Sequence, residues 1–119
     1  MALRFEEISD KNFHDCINLE VHPEQKDNFY FKSNRPNVVS LAEAYIFKDN
    51  KVLAVYDGET MVGAVFYSPQ NENGDAWLTR FMIDRRYQGK GLGRRTMEML
   101  VERIQEETYG ECARLGTSY

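Results

Sequence analysis

The sequence predicts an α+β domain with the element order β-α-α-β-β-β-α-β and a mostly antiparallel central sheet. Three observations carry that expectation. Two apolar, β-branched runs are joined by the tight turn Asp57-Gly58-Glu59, and a third such run follows after a polar loop. A long amphipathic segment then starts directly behind a glycine-rich loop. No internal repeat and no Pro/Ser linker interrupts the 119 residues, so residues 1–119 read as one continuous domain.

Leu3-Arg4-Phe5-Glu6-Glu7-Ile8 is expected as a short strand. Ser9 or Asp10 can cap a following helix whose apolar positions Phe13, Ile17 and Val21 recur at spacings of four. His22-Pro23 ends it, because the residue before a proline is pushed out of the helical region. From Glu24 to Asn37 polar and aromatic residues mix without periodicity, as in a loop with at most one helical turn. Ser40-Leu41-Ala42-Glu43 has the spacing of a capping box and opens a short helix through Phe47, stopped by Asp49-Asn50. Lys51–Tyr56, Met61–Tyr67 and Ala76–Ile83 are the three strands of an antiparallel meander, with Tyr67 and Trp77 expected to face each other across it. The long helix starts just after Gly91, with Gly93, Met97, Leu100, Val101 and Ile104 on one face and Arg94, Arg95, Glu98, Glu102, Arg103 and Glu106 on the other. Gly110 ends it, and a further strand begins near Ala113.

Composition narrows the function classes. Nineteen acids against fifteen bases leave a net charge of −4, which argues against a phosphate-backbone binder and so against a nucleic-acid partner. No apolar run approaches the ~20 residues of a membrane span, and two acids follow the N-terminal residues where a signal peptide would be basic and then apolar. A cytoplasmic protein with no membrane partner is expected. The two cysteines, Cys16 and Cys112, are too few for a disulfide framework and read as buried, inert thiols. His14 and His22 stand without a cysteine pattern, so no metal is expected.

Chemistry concentrates in Gln88-Gly89-Lys90-Gly91-Leu92-Gly93. Glycines at alternate positions let the backbone turn tightly and approach a ligand without a Cβ in the way. At a helix N-terminus the free N–H groups and the positive end of the dipole make an anion site, for which a phosphate is the natural occupant. Lys90, Arg94, Arg95, Arg85 and Arg86 surround it with positive charge. The spacing G-x-G-x-G after a fourth strand is not the dinucleotide fingerprint, and no G-x-x-x-x-G-K-[ST] is present, so NAD and ATP are both excluded on spacing.

The stretch Ile83-Asp84-Arg85-Arg86-Tyr87-Gln88-Gly89-Lys90-Gly91-Leu92-Gly93 resembles the acetyl-CoA motif Q/R-x-x-G-x-G/A of the GNAT superfamily of N-acetyltransferases, with Gln88, Gly91 and Gly93 at its fixed positions. The family's element order resembles this one over essentially the whole chain. The resemblance implies acetyl-CoA as co-substrate, with Gln88, Gly89, Lys90, Gly91, Leu92, Gly93 and Arg94 around its pyrophosphate. It also implies that Phe81, Met82 and Ile83 lend backbone groups to the pantetheine arm. Ser40–Tyr45 and Trp77–Asp84 further resemble bacterial spermine/spermidine acetyltransferases, which implies a small cationic amine as acceptor, direct transfer in a ternary complex, and no metal.

Family members usually continue through a strand, a helix carrying a tyrosine that acts as general acid, and two more strands. Against that pattern this chain is expected to be C-terminally truncated, ending at Tyr119. Glu24, Glu43 and Tyr119 are the catalytic candidates, and Glu20, Asp27 and Asp75 are further acids for the acceptor side. Loss of the last strands would leave a sheet edge and a helix face to be covered, which implies a homodimer or higher oligomer. Two alternative readings stand beside this one: a truncated, inactive CoA-binding module, and an acetyltransferase for a protein or antibiotic amine.

Overall fold

Why the middle of the chain is so continuously apolar is explained by the sheet. The computed structural model describes residues 2–20, 37–47, 50–69, 75–108 and 115–117. Strands β1 (Leu3–Glu7), β2 (Lys51–Asp57), β3 (Thr60–Ser68), β4 (Ala76–Ile83) and β5 (Leu115–Thr117) form one sheet in the order β1-β2-β3-β4-β5. The first four are antiparallel neighbours, and β5 runs parallel to β4. Helices α1 (Phe13–Ile17) and α2 (Asn37–Ile46) contribute to one face and α3 (Leu92–Glu107) to the other. Central strands covered on both faces need no polar alternation, so Met61–Tyr67 of β3 is buried throughout. On the first face Cys16 and Leu19 pack with Ala64, Phe66 and Met82; on the second, Leu100 and Ile104 pack with Leu53, Val65, Tyr67 and Leu78.

The α+β order and the strands follow the sequence expectation, and the helices depart from it in instructive ways. α1 is a single short turn of helix, and Asn12 rather than Ser9 or Asp10 precedes it. Its buried residue is Cys16, followed by Leu19 just beyond the helix, whereas Phe13 and Ile17 are only half-buried; Val21 lies outside the described residues. α2 begins at Asn37, so Ser40 sits inside the helix and its hydroxyl accepts a hydrogen bond from Arg80 Nη1 at 3.2 Å instead of capping. In α3 the buried ladder is Leu92, Thr96, Leu100 and Ile104, while Val101 is 44% exposed. The expected face is therefore rotated, because a strict i, i+4 ladder hides Thr96, a polar residue that hydrophobic periodicity does not count.

The expected Tyr67–Trp77 pair does not form. A bulge in β4 sets Phe66 opposite Arg80 and Tyr67 opposite Leu78, which leaves Thr79 unopposed and puts Trp77 across from Ser68. Thr79 Oγ1 donates to the Phe66 carbonyl at 2.8 Å and pins the bulge. β5 pairs with β4 only over Ala76–Leu78, so among the described residues β4 from Thr79 to Ile83 has no strand on its outer side. Cys16 is buried and free as expected, whereas Cys112, Gly110 and Ala113 lie outside the described residues.

Candidate functional site

The glycine loop is positioned by the end of β4. The N–H of Asp84 donates to the Val62 carbonyl at 2.7 Å, extending the contact with β3 by one residue past the strand. The Asp84 side chain then caps a short 3-10 turn, Arg85–Tyr87, accepting from the Arg86 N–H at 3.0 Å and from Arg86 Nε at 2.8 Å. Its other oxygen accepts from the Glu20 N–H at 2.9 Å, and the Arg85 N–H returns a bond to the Glu20 carbonyl at 2.6 Å. Burial opposes the charge on Asp84, but the Arg86 side chain and the Arg86 and Glu20 backbone donors outweigh it and hold the carboxyl below its ordinary range. Gln88 closes the turn, donating from Nε2 to the Ile83 carbonyl at 2.8 Å. That contact braces the strand end, so part of the motif's glutamine acts within the protein.

Gly89 and Gly91 both adopt left-handed backbone conformations, with φ of 81° and 78°. A Cβ on either would meet nothing within 4 Å, so glycine is needed there for its φ and leaves open space above it. Gly91 precedes α3 and makes no side-chain cap; the first helical bond runs from the Arg95 N–H to the Gly91 carbonyl at 3.2 Å. The N–H groups of Leu92, Gly93 and Arg94 precede that bond and have no acceptor within the helix. A sixteen-residue helix thus presents its positive end beside glycines that carry no obstructing side chain.

These groups line a cleft of about 240 Å³ bounded by Phe81, Ile83, Gln88, Gly89, Gly91, Leu92 and Gly93. Gly93 lies on its wall, where a Cβ would touch Ile83 and Phe81 at 3.8 Å. The chemistry of this donor set fits a phosphate-bearing co-substrate: backbone N–H groups at a helix start, no acid lining the cleft, and Lys90, Arg94 and Arg95 on the same loop and first turn. Arg94 and Arg95 form no ion pair among the described residues, whereas Arg85 pairs with Glu20 at 3.6 Å and Arg86 with Asp84. Lys90 Nζ stands 6.0 Å from the centre of the Tyr87 ring, which Arg86 also approaches. The stretch of β4 beyond its pairing with β5, Thr79–Ile83, adjoins the cleft through Phe81 and Ile83.

Of the sequence-expected residues, Phe81, Ile83, Gln88, Gly89, Gly91, Leu92 and Gly93 line the cleft, Lys90 and Arg94 are exposed beside it, and the Met82 side chain is buried with Cys16 on the other face; the catalytic candidates do not join them in a described arrangement. Glu24, Asp27 and Tyr119 lie outside the described residues. Glu43 is half-buried on α2, Asp75 just precedes β4, and Glu20 is tied to Asp84 and Arg85. Cys16 is no nucleophile: burial pushes its thiol up to about 11, against the opposing pull of Arg80. Among the described residues no group of three His, Cys, Asp or Glu is placed to hold a metal ion, and no helix is long and apolar enough to cross a membrane. Sequence reasoning missed Asp84. Its signal was a helix-capping residue type between a strand and a charged turn, but its partner at Glu20 is remote in the chain.

The family model for the acetyltransferase (GNAT) family matches residues 12–118. A spermine/spermidine N(1)-acetyltransferase of Bacillus subtilis (strain 168) is 31% identical, over 89% of this chain and 70% of that protein. A probable spermine N(1)-acetyltransferase of Bacillus subtilis subsp. natto (strain BEST195) is 30% identical over the same shares. Among solved structures, a ribosomal-protein-alanine N-acetyltransferase from Brucella melitensis biovar Abortus 2308 superposes with a TM-score of 0.69 at 14% identity, covering 98% of this chain and 80% of that one.

Proposed function

This chain belongs to the acetyltransferase (GNAT) family and is an N-acetyltransferase, and on that premise we propose that it moves the acetyl group of acetyl-CoA onto a primary amine of a small cationic acceptor, with spermidine or spermine as the candidate. The observation that carries the reading is the uncapped start of α3 behind two left-handed glycines, at the wall of an open cleft free of acids. The names of the two Bacillus relatives support the polyamine class. Enzymes of this family use acetyl-CoA, which supplies an activated thioester carbonyl.

The residues divide the work as follows. The N–H groups of Leu92, Gly93 and Arg94 hold the pyrophosphate, and the glycines at 89 and 91 let it approach the backbone. Lys90 and Arg94 add positive charge where the phosphates would lie. Backbone groups of Phe81, Met82 and Ile83, on the stretch of β4 beyond its pairing with β5, take the pantetheine arm and fix the carbonyl along the strand. The amine is taken to reach the carbonyl from the side of α1 and α2, because Ser40–Tyr45, one of the stretches that resembles the polyamine acetyltransferases, lies in α2. There Glu43 is the catalytic candidate with a described position, and its role is to take a proton from the acceptor's ammonium, so that the neutral amine attacks the thioester carbonyl and the CoA thiolate leaves. Direct transfer in a ternary complex is what the family resemblance implies, and Cys16, fully buried and absent from the cleft lining, offers no thiol to carry the acetyl group there. We further propose a homodimer, supported by the exposed apolar residues Val38, Val39, Ile46 and Phe47 at and beyond α2; sedimentation as a monomer at tens of micromolar would overturn it.

Calorimetric titration with acetyl-CoA tests the first step. Saturable binding is expected, weakened by at least about 100-fold in Gly91→Glu, which places a carboxylate at the anion site. Steady-state transfer then compares spermidine with a peptide N-terminus and an aminoglycoside. Turnover confined to the latter two would reject the polyamine reading, and binding without turnover on any amine would favour the inactive CoA-binding module.

A further inference from the structure

Asp84 is the one charged residue among the described residues that is buried, at 1% exposure. A turn needs only one capping acceptor, and a serine or asparagine supplies it without burying a charge. The second oxygen of Asp84 is what that requirement leaves unexplained. It accepts the Glu20 N–H at 2.9 Å, while the Arg85 N–H donates to the Glu20 carbonyl at 2.6 Å. A two-way bridge therefore joins the entrance of the glycine loop to the backbone of Glu20, three residues past the end of α1. Asn37, at the other end of that connection, donates from Nδ2 to the carbonyls of Cys16 and Leu19 at 2.7 and 3.3 Å. Ser40 in the same turn of α2 is bonded to Arg80 of β4.

We propose that Asp84 is a positioning residue with two separate arms: one oxygen shapes the turn that delivers the co-substrate loop, and the other fixes Glu20, and with it the α1–α2 side, in register with β4. The inference rests on the proposed acetyl transfer, in which the amine arrives from that side. A misplacement of the amine by a fraction of an ångström is expensive in rate, so a bond to one backbone N–H can govern turnover without touching substrate.

The arms can be cut one at a time in the full chain. Asp84→Ser keeps an acceptor for the Arg86 N–H and removes the one for Glu20. It is expected to leave acetyl-CoA affinity within about threefold, to lower kcat/KM for the amine by about tenfold or more, and to speed amide exchange at Glu20. Asp84→Ala, lacking both acceptors, should weaken acetyl-CoA binding as well. Asp84→Asn conserves volume and provides the same comparison if the serine variant folds poorly. A folded Asp84→Ser with amine kinetics within twofold of the parent overturns the inference, as does an equal loss in acetyl-CoA and amine terms, which marks a purely structural role. Glu20 exchange is read without co-substrate, so an unchanged rate there refutes the tie by itself. A parent chain that binds no acetyl-CoA refutes the functional reading instead.

Discussion

Two helical starts follow one another across a single loop, and they are built in opposite ways. At Asp84 every polar group is engaged: the carboxylate takes three N–H groups, the backbone N–H meets Val62 and the carbonyl accepts from Tyr87. At Gly91 there is no side chain to cap with, and the first N–H groups of α3 are left facing an open cleft. Closing the first start costs a buried charge; leaving the second open costs left-handed backbone that only glycine adopts readily. The contrast separates stability from function: the satisfied start holds the loop still, and the unsatisfied one is what a phosphate can use.

The largest effect expected from breaking this contrast is at the closed start. Asp84→Ala removes an acceptor shared by three donors in a buried place and should cost about 3 kcal/mol of folding free energy, read as a lowered urea midpoint with unchanged slope. The ionised form is the stabilising one, because its pKa lies below the ordinary 3.8. Its contribution is therefore complete above that value and fades as pH falls through the folded pKa. The stability gap between the parent and Asp84→Asn should be constant from pH 7 to 5 and shrink below pH 4. A gap that persists at pH 2 would mean that the hydrogen-bond geometry, and not the charge, carries the effect.

The open start should yield a smaller loss of a different kind. Gly91→Ala introduces a Cβ into empty space, so its cost is conformational alone, about 1–2 kcal/mol. Gly91→Asn should recover part of that, because asparagine tolerates the left-handed region better than alanine. Equal thermal midpoints for the two variants would show that the loop relaxes out of its left-handed turn when no ligand is present.

How much of this was legible in the sequence follows from the range of the interactions. The glycine loop, the hairpin at Gly58 and the β4 run are fixed by residues close together in the chain, and each was read in place. α2 begins earlier than its capping-box spacing suggests, because Ser40 is claimed by Arg80 from a distant strand. The β4 bulge moved Trp77 off Tyr67 through an extra residue, Thr79, whose only local mark is an unremarkable threonine. Asp84 was visible as a capping type, but its bond to Glu20 spans the region between α1 and the loop and has no local signature. The glycine loop and the start of α3 were legible for the same reason that a base or acid was not. Backbone N–H groups at a helix start come with a local motif, whereas a base or acid is placed by tertiary packing alone.

The smallest predicted effect is the most discriminating, because it moves stability and binding in opposite directions. Gly93 sits inside α3 with ordinary helical backbone and on the wall of the cleft. A Cβ there would lie 3.8 Å from Ile83 and Phe81, which is normal contact with no clash. Alanine is the better helix former, so Gly93→Ala should stabilise the fold by about 0.5–1 kcal/mol. The added methyl would stand on the wall of the cleft proposed for acetyl-CoA, whose affinity should then fall several-fold, about 1 kcal/mol. A rise in melting temperature with a weaker calorimetric Kd would show that this glycine is kept for the ligand at the expense of the helix. A rise in both stability and affinity would move the phosphate away from Gly93 and onto the left-handed turn at Gly89 and Gly91.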